Sequence, residues 1–250
     1  MIDVIEHGEI HELRLNRPPV NALSPELLAA IGDGVARAPS NGAGAVIISG
    51  GSGVFSAGLD VPRLLALDRP ELAAALDKFF GAIETIVKSP VPVVAAITGH
   101  SPAGGAVLAL GCDRRVMAEG PFSIGFNEVR IGIPIPEIVA SLVRRAVGTR
   151  RAEDLCVTGR LLDPAEALSI GLVDEVVDPD QVVEVARSWC ERAISVPSSA
   201  LVETRTRMRS DLVELIELHR ERDTRQLSET WFEPELQTAM KLLVARLKGE

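Results

Sequence analysis

Cysteine is scarce. Cys112, Cys156 and Cys190 are odd in number, far apart and without a C-x-x-C pair. That argues against a disulfide framework and a structural zinc site, and fits a reducing compartment such as the cytoplasm. No apolar run approaches the roughly 20 residues needed to cross a bilayer, so no membrane partner is expected. The opening residues, MIDVIEHGEIHEL, hold no basic segment followed by an apolar one, and neither a signal nor a transit peptide is expected. Positive charge is in the minority: 26 Lys and Arg face 35 Asp and Glu, for a net charge of −9. Nucleic acid is therefore not an expected partner, because phosphate contacts need concentrated Lys and Arg. A local basic patch would still be enough to hold a phosphorylated small molecule. The nucleotide-loop signatures are missing too: GGSGVFSAG lacks the lysine of G-x-x-x-x-G-K-[ST] and does not match G-x-G-x-x-G. No His, Cys and carboxylate group has metal-ligand spacing, so no metal is expected.

What is present describes an ordinary globular chain. Its 250 residues are 46% hydrophobic and 24% charged, enough for one large domain or one domain with a small appendage. Residues 2–15 alternate around His7-Gly8-Glu9 and read as a hairpin. Ser24-Pro25 is a helix start, with a side-chain oxygen at the cap and a proline where its missing N–H does no harm. Residues 45–49 and 91–97 read as buried strands. A helical region over 61–87 contains a break near Arg69-Pro70. A helix is expected over 106–110, short strands over 115–118 and 122–126, and helices over 136–147 and 151–158. Asp163-Pro164-Ala165-Glu166 is a further helix start, with Glu166 placed to reach back to the cap. After a strand from Gly171 the chain is helical from about Pro179, broken at Pro197 and Pro234. Strand, strand, helix recurs at uneven spacing, which predicts an α/β fold of stacked ββα turns.

The chain is organised around residues 98–128. An apolar strand breaks at Gly99 and passes through Ser101-Pro102-Ala103-Gly104-Gly105 into a buried helix. Paired glycines at such a junction leave a backbone N–H unshielded, and the helix start adds about half a positive charge there. This is a place to hold a negative oxygen. Upstream, the segment Phe55-Ser56-Ala57-Gly58-Leu59-Asp60 follows another strand, and alone it reads as a turn with Gly58 left-handed. Two such strand ends can converge and give one N–H each to the same oxygen. Removing one donor from such a hole costs about 2.7–4 kcal/mol of barrier. Asn127-Glu128 then ends a short apolar segment. A lone glutamate there is ordinarily a solvated charge, but apolar residues on both sides would desolvate this one and lift its pKa toward neutrality. A base beside an anion hole points to proton abstraction next to a carbonyl.

The text SPAGG…LALGCDRRVMA…IGFNEVRIGI, with VFSAGLD upstream, resembles the crotonase (enoyl-CoA hydratase/isomerase) superfamily over almost the whole chain, most closely its Δ3,Δ2-enoyl-CoA isomerase branch. The resemblance implies a crotonase-like core over residues 1–190 and a helical region over 191–250 that trimerises the protein, as a homotrimer or a dimer of trimers. It implies an acyl-CoA substrate, with coenzyme A part of that substrate and no separate cofactor. Catalytic roles would fall to Glu128 as proton shuttle and to the N–H groups of Leu59 and Gly104 as the oxyanion hole. Ala57, Gly58, Leu59, Asp60, Gly104, Gly105 and Asn127 would line the CoA-ester site, with the backbone of Ala57 against the adenine. Hydratases of the superfamily carry a second glutamate where this chain has Val107, and moving a double bond needs only one base. The implied reaction is isomerisation of 3-enoyl-CoA to trans-2-enoyl-CoA in β-oxidation.

Other residues leave alternatives open. His100 is a candidate acid or a backbone hydrogen-bond partner. Glu137, where the isomerases have a bulky apolar residue, is a candidate second carboxylate for hydration or thioester hydrolysis, or an acid favoured at a helix start. Asp113 reads as a structural partner for Arg114 or a loop. Arg63, Lys241, Arg246 and Lys248 are candidates for the CoA phosphates or plain solvated charges. A non-catalytic acyl-CoA-binding or scaffold protein on the same fold is the alternative from another class, with RNA disfavoured by the acidic balance.

Overall fold

The computed structural model describes residues 1–248. The expected hairpin is formed by Ile2–His7 (β1) and Ile10–Leu15 (β2), which turn at Gly8. Pro25–Arg37 (α1) begins where the Ser24 hydroxyl accepts the N–H of Leu27, and it buries Leu27, Leu28, Ile31 and Val35 on one face. Ala45–Ser49 (β3) is buried at every residue, as a parallel strand covered on both faces must be. A two-residue strand, Gly53–Val54 (β4), follows, then Val61–Leu64 (α2) and Arg69–Lys88 (α3). Arg69-Pro70 is a start and not a break within one helix. Asp68 and Glu71 close a capping box, and Pro70 sits in the first turn, where no N–H is needed.

The same strand, strand, helix order then repeats. Val93–Ile97 (β5), Gly99–Pro102 (β6) and Gly104–Gly111 (α4) form one unit. Arg114–Ala118 (β7), Ile124–Gly125 (β8), a 3₁₀ turn over Glu128–Ile131 and Glu137–Val147 (α5) form the next. β8 is shorter than the strand expected over 122–126, because only Ile124 and Gly125 find partners, β6 on one side and Leu161–Leu162 (β9) on the other. Thr149–Thr158 (α6) precedes β9, and Pro164–Ser169 (α7) and Glu175–Val177 (β10) follow it. Asp163 caps α7 as expected, but the Glu166 carboxylate does not turn back to the cap; it takes Arg160 at 2.6 Å.

Each unit gives its first strand to one sheet and its second to another. The six-stranded sheet runs β1-β2-β3-β5-β7-β10, parallel from β2 onward, and the smaller sheet runs β4-β6-β8-β9. These are the stacked ββα turns of the sequence reading. The main core lies between the large sheet and α1, α3, α4 and α5. Val182–Ile194 (α8) covers the opposite face with Val182, Ala186 and Cys190.

Ser198–Met208 (α9), Ser210–Trp231 (α10) and Pro234–Lys248 (α11) complete the chain, with breaks at Pro197 and Pro234. Asp113 anchors this region. Its partners are not Arg114, which pairs with Glu175 at 2.8 Å, but Arg205 at 2.9 Å and Arg209 at 2.8 Å. The Arg205 guanidinium also donates to the carbonyls of Ile86, Val87 and Ser89, and so caps the end of α3. Its planar fork can serve several acceptors at once, which an ammonium could not do in the same plane.

Candidate active site

Three loops meet because three short strands are neighbours and parallel. β4 pairs with β6 through Gly53↔Gly99 and Val54↔His100, and β6 pairs with β8 through Ser101↔Ile124 and Pro102↔Gly125. Their C-terminal ends therefore face the same way, about 4.8 Å apart from strand to strand. The first end continues into residues 55–60, the second into Ala103-Gly104 and the third into Asn127-Glu128. Cross-links hold the ends together: Phe55 N–H donates to His100 O at 3.0 Å, and Ala103 N–H to Gly125 O at 2.7 Å.

The first two loops touch. A Cβ built on Gly58 would lie 3.0 Å from the nitrogen of Gly104, and one built on Gly104 would lie 3.3 Å from the nitrogen of Leu59. Gly58 also has φ +85°, the left-handed conformation anticipated for it. Ala103 has φ +49° without being glycine, a strained elbow that swings Gly104 to the start of α4. The N–H groups of Leu59 and Gly104 have no hydrogen-bond partner among the described residues and border the same space. α4 adds its dipole there, and all its residues are buried in low dielectric. Gly105 serves contact: a Cβ on it would come within 2.5 Å of the Ser56 carbonyl oxygen.

Glu128 opens the 3₁₀ turn. The residue is half-buried, yet its Oε2 is sealed from solvent and has no hydrogen-bond partner. Burial pushes its carboxyl up to about 7, while a backbone hydrogen bond pulls weakly the other way. Asn127 makes no side-chain hydrogen bond to it, so packing and the backbone hydrogen bond orient the carboxyl. Val107 is buried in the first turn of α4, which therefore brings no carboxylate to this junction.

The other candidates go elsewhere. Glu137 donates no acid to the site: its carboxylate takes Arg144 at 2.7 Å and Ser141 at 3.1 Å, and the Arg144 hydrogen bond holds it below the usual carboxylate range. The exposed His100 accepts the backbone N–H of Ser123 through Nδ1 at 3.2 Å and meets Phe122 edge to face, the hydrogen-bonding alternative. Both oxygens of Asp60 are engaged, one by Arg17 and one by the Arg63 N–H, so its side chain is not free for a CoA ester. Arg63 lies 3.7 Å from Glu26, Lys241 and Arg246 lie on α11, and the Lys248 side chain is outside the described residues. Sequence reasoning missed Cys156 on α6. Its thiol is pushed up to about 11 by burial and then by the charge of Glu128, so a neutral thiol neighbours the carboxyl. It also missed Arg17, Asn21 and Ser56, which hold the first loop.

All three cysteines are free. Among the described residues no helix is long and apolar enough to cross a membrane, and no three His, Cys, Asp or Glu side chains converge as metal ligands. Enoyl-CoA delta isomerase 1, mitochondrial, of Mus musculus is 33% identical over 239 residues, which cover 94% of this chain and 83% of that protein. The probable enoyl-CoA hydratase EchA17 of Mycobacterium tuberculosis is 38% identical over 208 residues, 81% of this chain and 77% of its own. The crystal structure of human mitochondrial delta3-delta2-enoyl-CoA isomerase superposes with a TM-score of 0.95 at 30% identity, covering 99% of this chain and 98% of that one. The family model for enoyl-CoA hydratase/isomerase matches residues 6–249, and with these relatives it places the chain in the enoyl-CoA hydratase/isomerase family.

Proposed function

We propose that this chain converts a 3-enoyl-CoA to the trans-2-enoyl-CoA, with Glu128 as the single proton carrier. The observation that carries this reading is the carboxyl of Glu128, its Oε2 sealed from solvent and without a partner, poised near neutrality, with valine and not a second carboxylate at position 107. The Glu128 carboxylate takes a proton from C2, and the electron pair moves onto the thioester oxygen as a dienolate. The N–H groups of Leu59 and Gly104 hold that charge. Glu128 then returns the proton at C4, leaving the double bond between C2 and C3. A group with pKa near 7 serves both steps at neutral pH. The apolar wall at Val107 keeps water from the dienolate.

Hydration is the second reading, favoured by the name of the mycobacterial relative. The engagement of Glu137 with Arg144 weighs against it. A side-by-side assay decides: conversion of a 3-enoyl-CoA without hydration of a trans-2-enoyl-CoA supports isomerisation, and hydration of the second overturns it. Inactivity on both would instead favour an acyl-CoA-binding role.

The place of the reaction in β-oxidation and a cytoplasmic setting, which the free thiols suit, belong to the same proposal. So does the division into a core over residues 1–190 and a self-associating helical region over 191–250. Supporting self-association, Met208, Leu218 and Leu242 are exposed on α9, α10 and α11. An ultracentrifuge measurement of mass tests it.

A further inference from the structure

Residues 55–60 are held by a second loop, residues 16–23, that takes no part in the mechanism above. Asn21 is 4% exposed and sits at φ +48°, a left-handed conformation that costs a residue with a side chain. Its Oδ1 accepts the N–H of Arg17 at 2.8 Å, and its Nδ2 donates to the Phe55 carbonyl at 3.1 Å. Its own carbonyl accepts from the fully buried Ser56 hydroxyl at 2.8 Å, and that oxygen accepts the N–H of Gly58 at 3.2 Å. Arg17 spans the two loops, donating to Ala22 O at 3.0 Å and to Asp60 Oδ2 at 2.5 Å.

The backbone follows the same plan. Phe55 and Ser56 donate to His100 O, Ala57 to Val20 O, Gly58 to the Ser56 hydroxyl and Asp60 to Leu23 O. From 55 to 60 every backbone N–H is engaged except that of Leu59. A loop whose neighbours on both sides are pinned, and whose single free donor borders the Gly104 N–H, is a preorganised donor.

We propose that Arg17 and Asn21 are positioning residues that aim the Leu59 N–H at the developing oxyanion. Their side-chain hydrogen bonds are spent on the two loops. Their contribution falls on the charged intermediate and leaves the binding of the neutral ester alone. This rests on the oxyanion-hole reading of Leu59 and Gly104.

The test compares wild type with Asn21→Gly, which keeps the left-handed backbone and removes both side-chain bonds, and with Arg17→Met. Two ligands are titrated: a saturated acyl-CoA, and a 3-ketoacyl-CoA of equal length that binds as an enolate. Each variant should bind the enolate about tenfold or more weakly and the saturated ester within about twofold of wild type. kcat should fall about 10- to 100-fold at nearly constant KM. Equal weakening of both ligands, or no weakening of either, overturns the proposal, because a general structural role would act on both alike. Arg17→Lys, which retains the charge but loses the fork, carries the same comparison if Asn21→Gly does not fold. A wild-type protein that binds the enolate no better than the saturated ester would instead refute the oxyanion hole itself, and the positioning role with it.

Discussion

Glu128→Gln should make the protein more stable and inactive, and the gain in stability should depend on pH. In the fold the carboxyl titrates near 7, against 4.5 for the ordinary group. Between those values the native state holds a proton that the unfolded chain releases, so stability falls as pH rises. Each unit of difference is worth about 1.4 kcal/mol, which makes the full cost about 3 kcal/mol above pH 7. It is under about 1 kcal/mol at pH 5, which lies only about half a unit above the unfolded-state value, so the proton held in the fold is given up there at little cost. Glutamine carries no charge in either state, so the variant escapes this cost, and any fixed difference between amide and acid is the same at both pH values. Urea unfolding of both proteins at pH 5 and pH 8 measures the gap. An advantage for Glu128→Gln larger by about 2–3 kcal/mol at pH 8 is expected. A gap that does not change with pH would refute the desolvated carboxyl and the base it provides. Turnover by Glu128→Gln would refute its role while leaving the burial intact.

The pH profile should carry the same signature: kcat/KM rises with pH while the free-enzyme carboxyl ionises near 7 and levels off above it. A flat profile between pH 5.5 and 8.5 would mean that another group is the base. Gly104→Ala places a methyl 3.3 Å from the Leu59 nitrogen, at the mouth of the oxyanion space. It should lower kcat/KM about 10²–10³-fold, with the fold retained by circular dichroism. Arg205→Met removes one of the two arginines that hold the half-buried Asp113 and, with it, the guanidinium that caps the end of α3. About 3–5 kcal/mol of stability should be lost in urea titration, although no part of the active site is touched.

The parts of this molecule that rest on neighbouring residues were legible early. Ser24-Pro25 and Asp163-Pro164 start helices because a cap oxygen bonds an N–H three residues on. β3 and β5 read as central strands because their apolar character is unbroken. Glu128 stood out because it is a lone carboxylate within an apolar stretch, although Val129 beside it is exposed and the fold as a whole supplies the burial. Partner choice was a different matter. Asp113 selects Arg205, 92 residues away, over the adjacent Arg114, and Asn21 selects the carbonyl of Phe55, 34 residues on. With so many arginines in the chain, charge alone does not choose among them.

By itself, then, the sequence determined the order of strands and helices, the helix caps, the glycine turns and the single carboxylate with an apolar setting. All of these are contacts over a few positions, written in local pattern and side-chain size. Only the tertiary structure decided which backbone N–H groups stay free. Every residue but proline carries one, so Leu59 and Gly104 were singled out by the resemblance of their motifs and not by any chemistry of their own side chains. They border one space because β4, β6 and β8 align their ends, and the other N–H groups around Leu59 are taken by His100, by Ser56 and by Val20 and Leu23 of a distant loop.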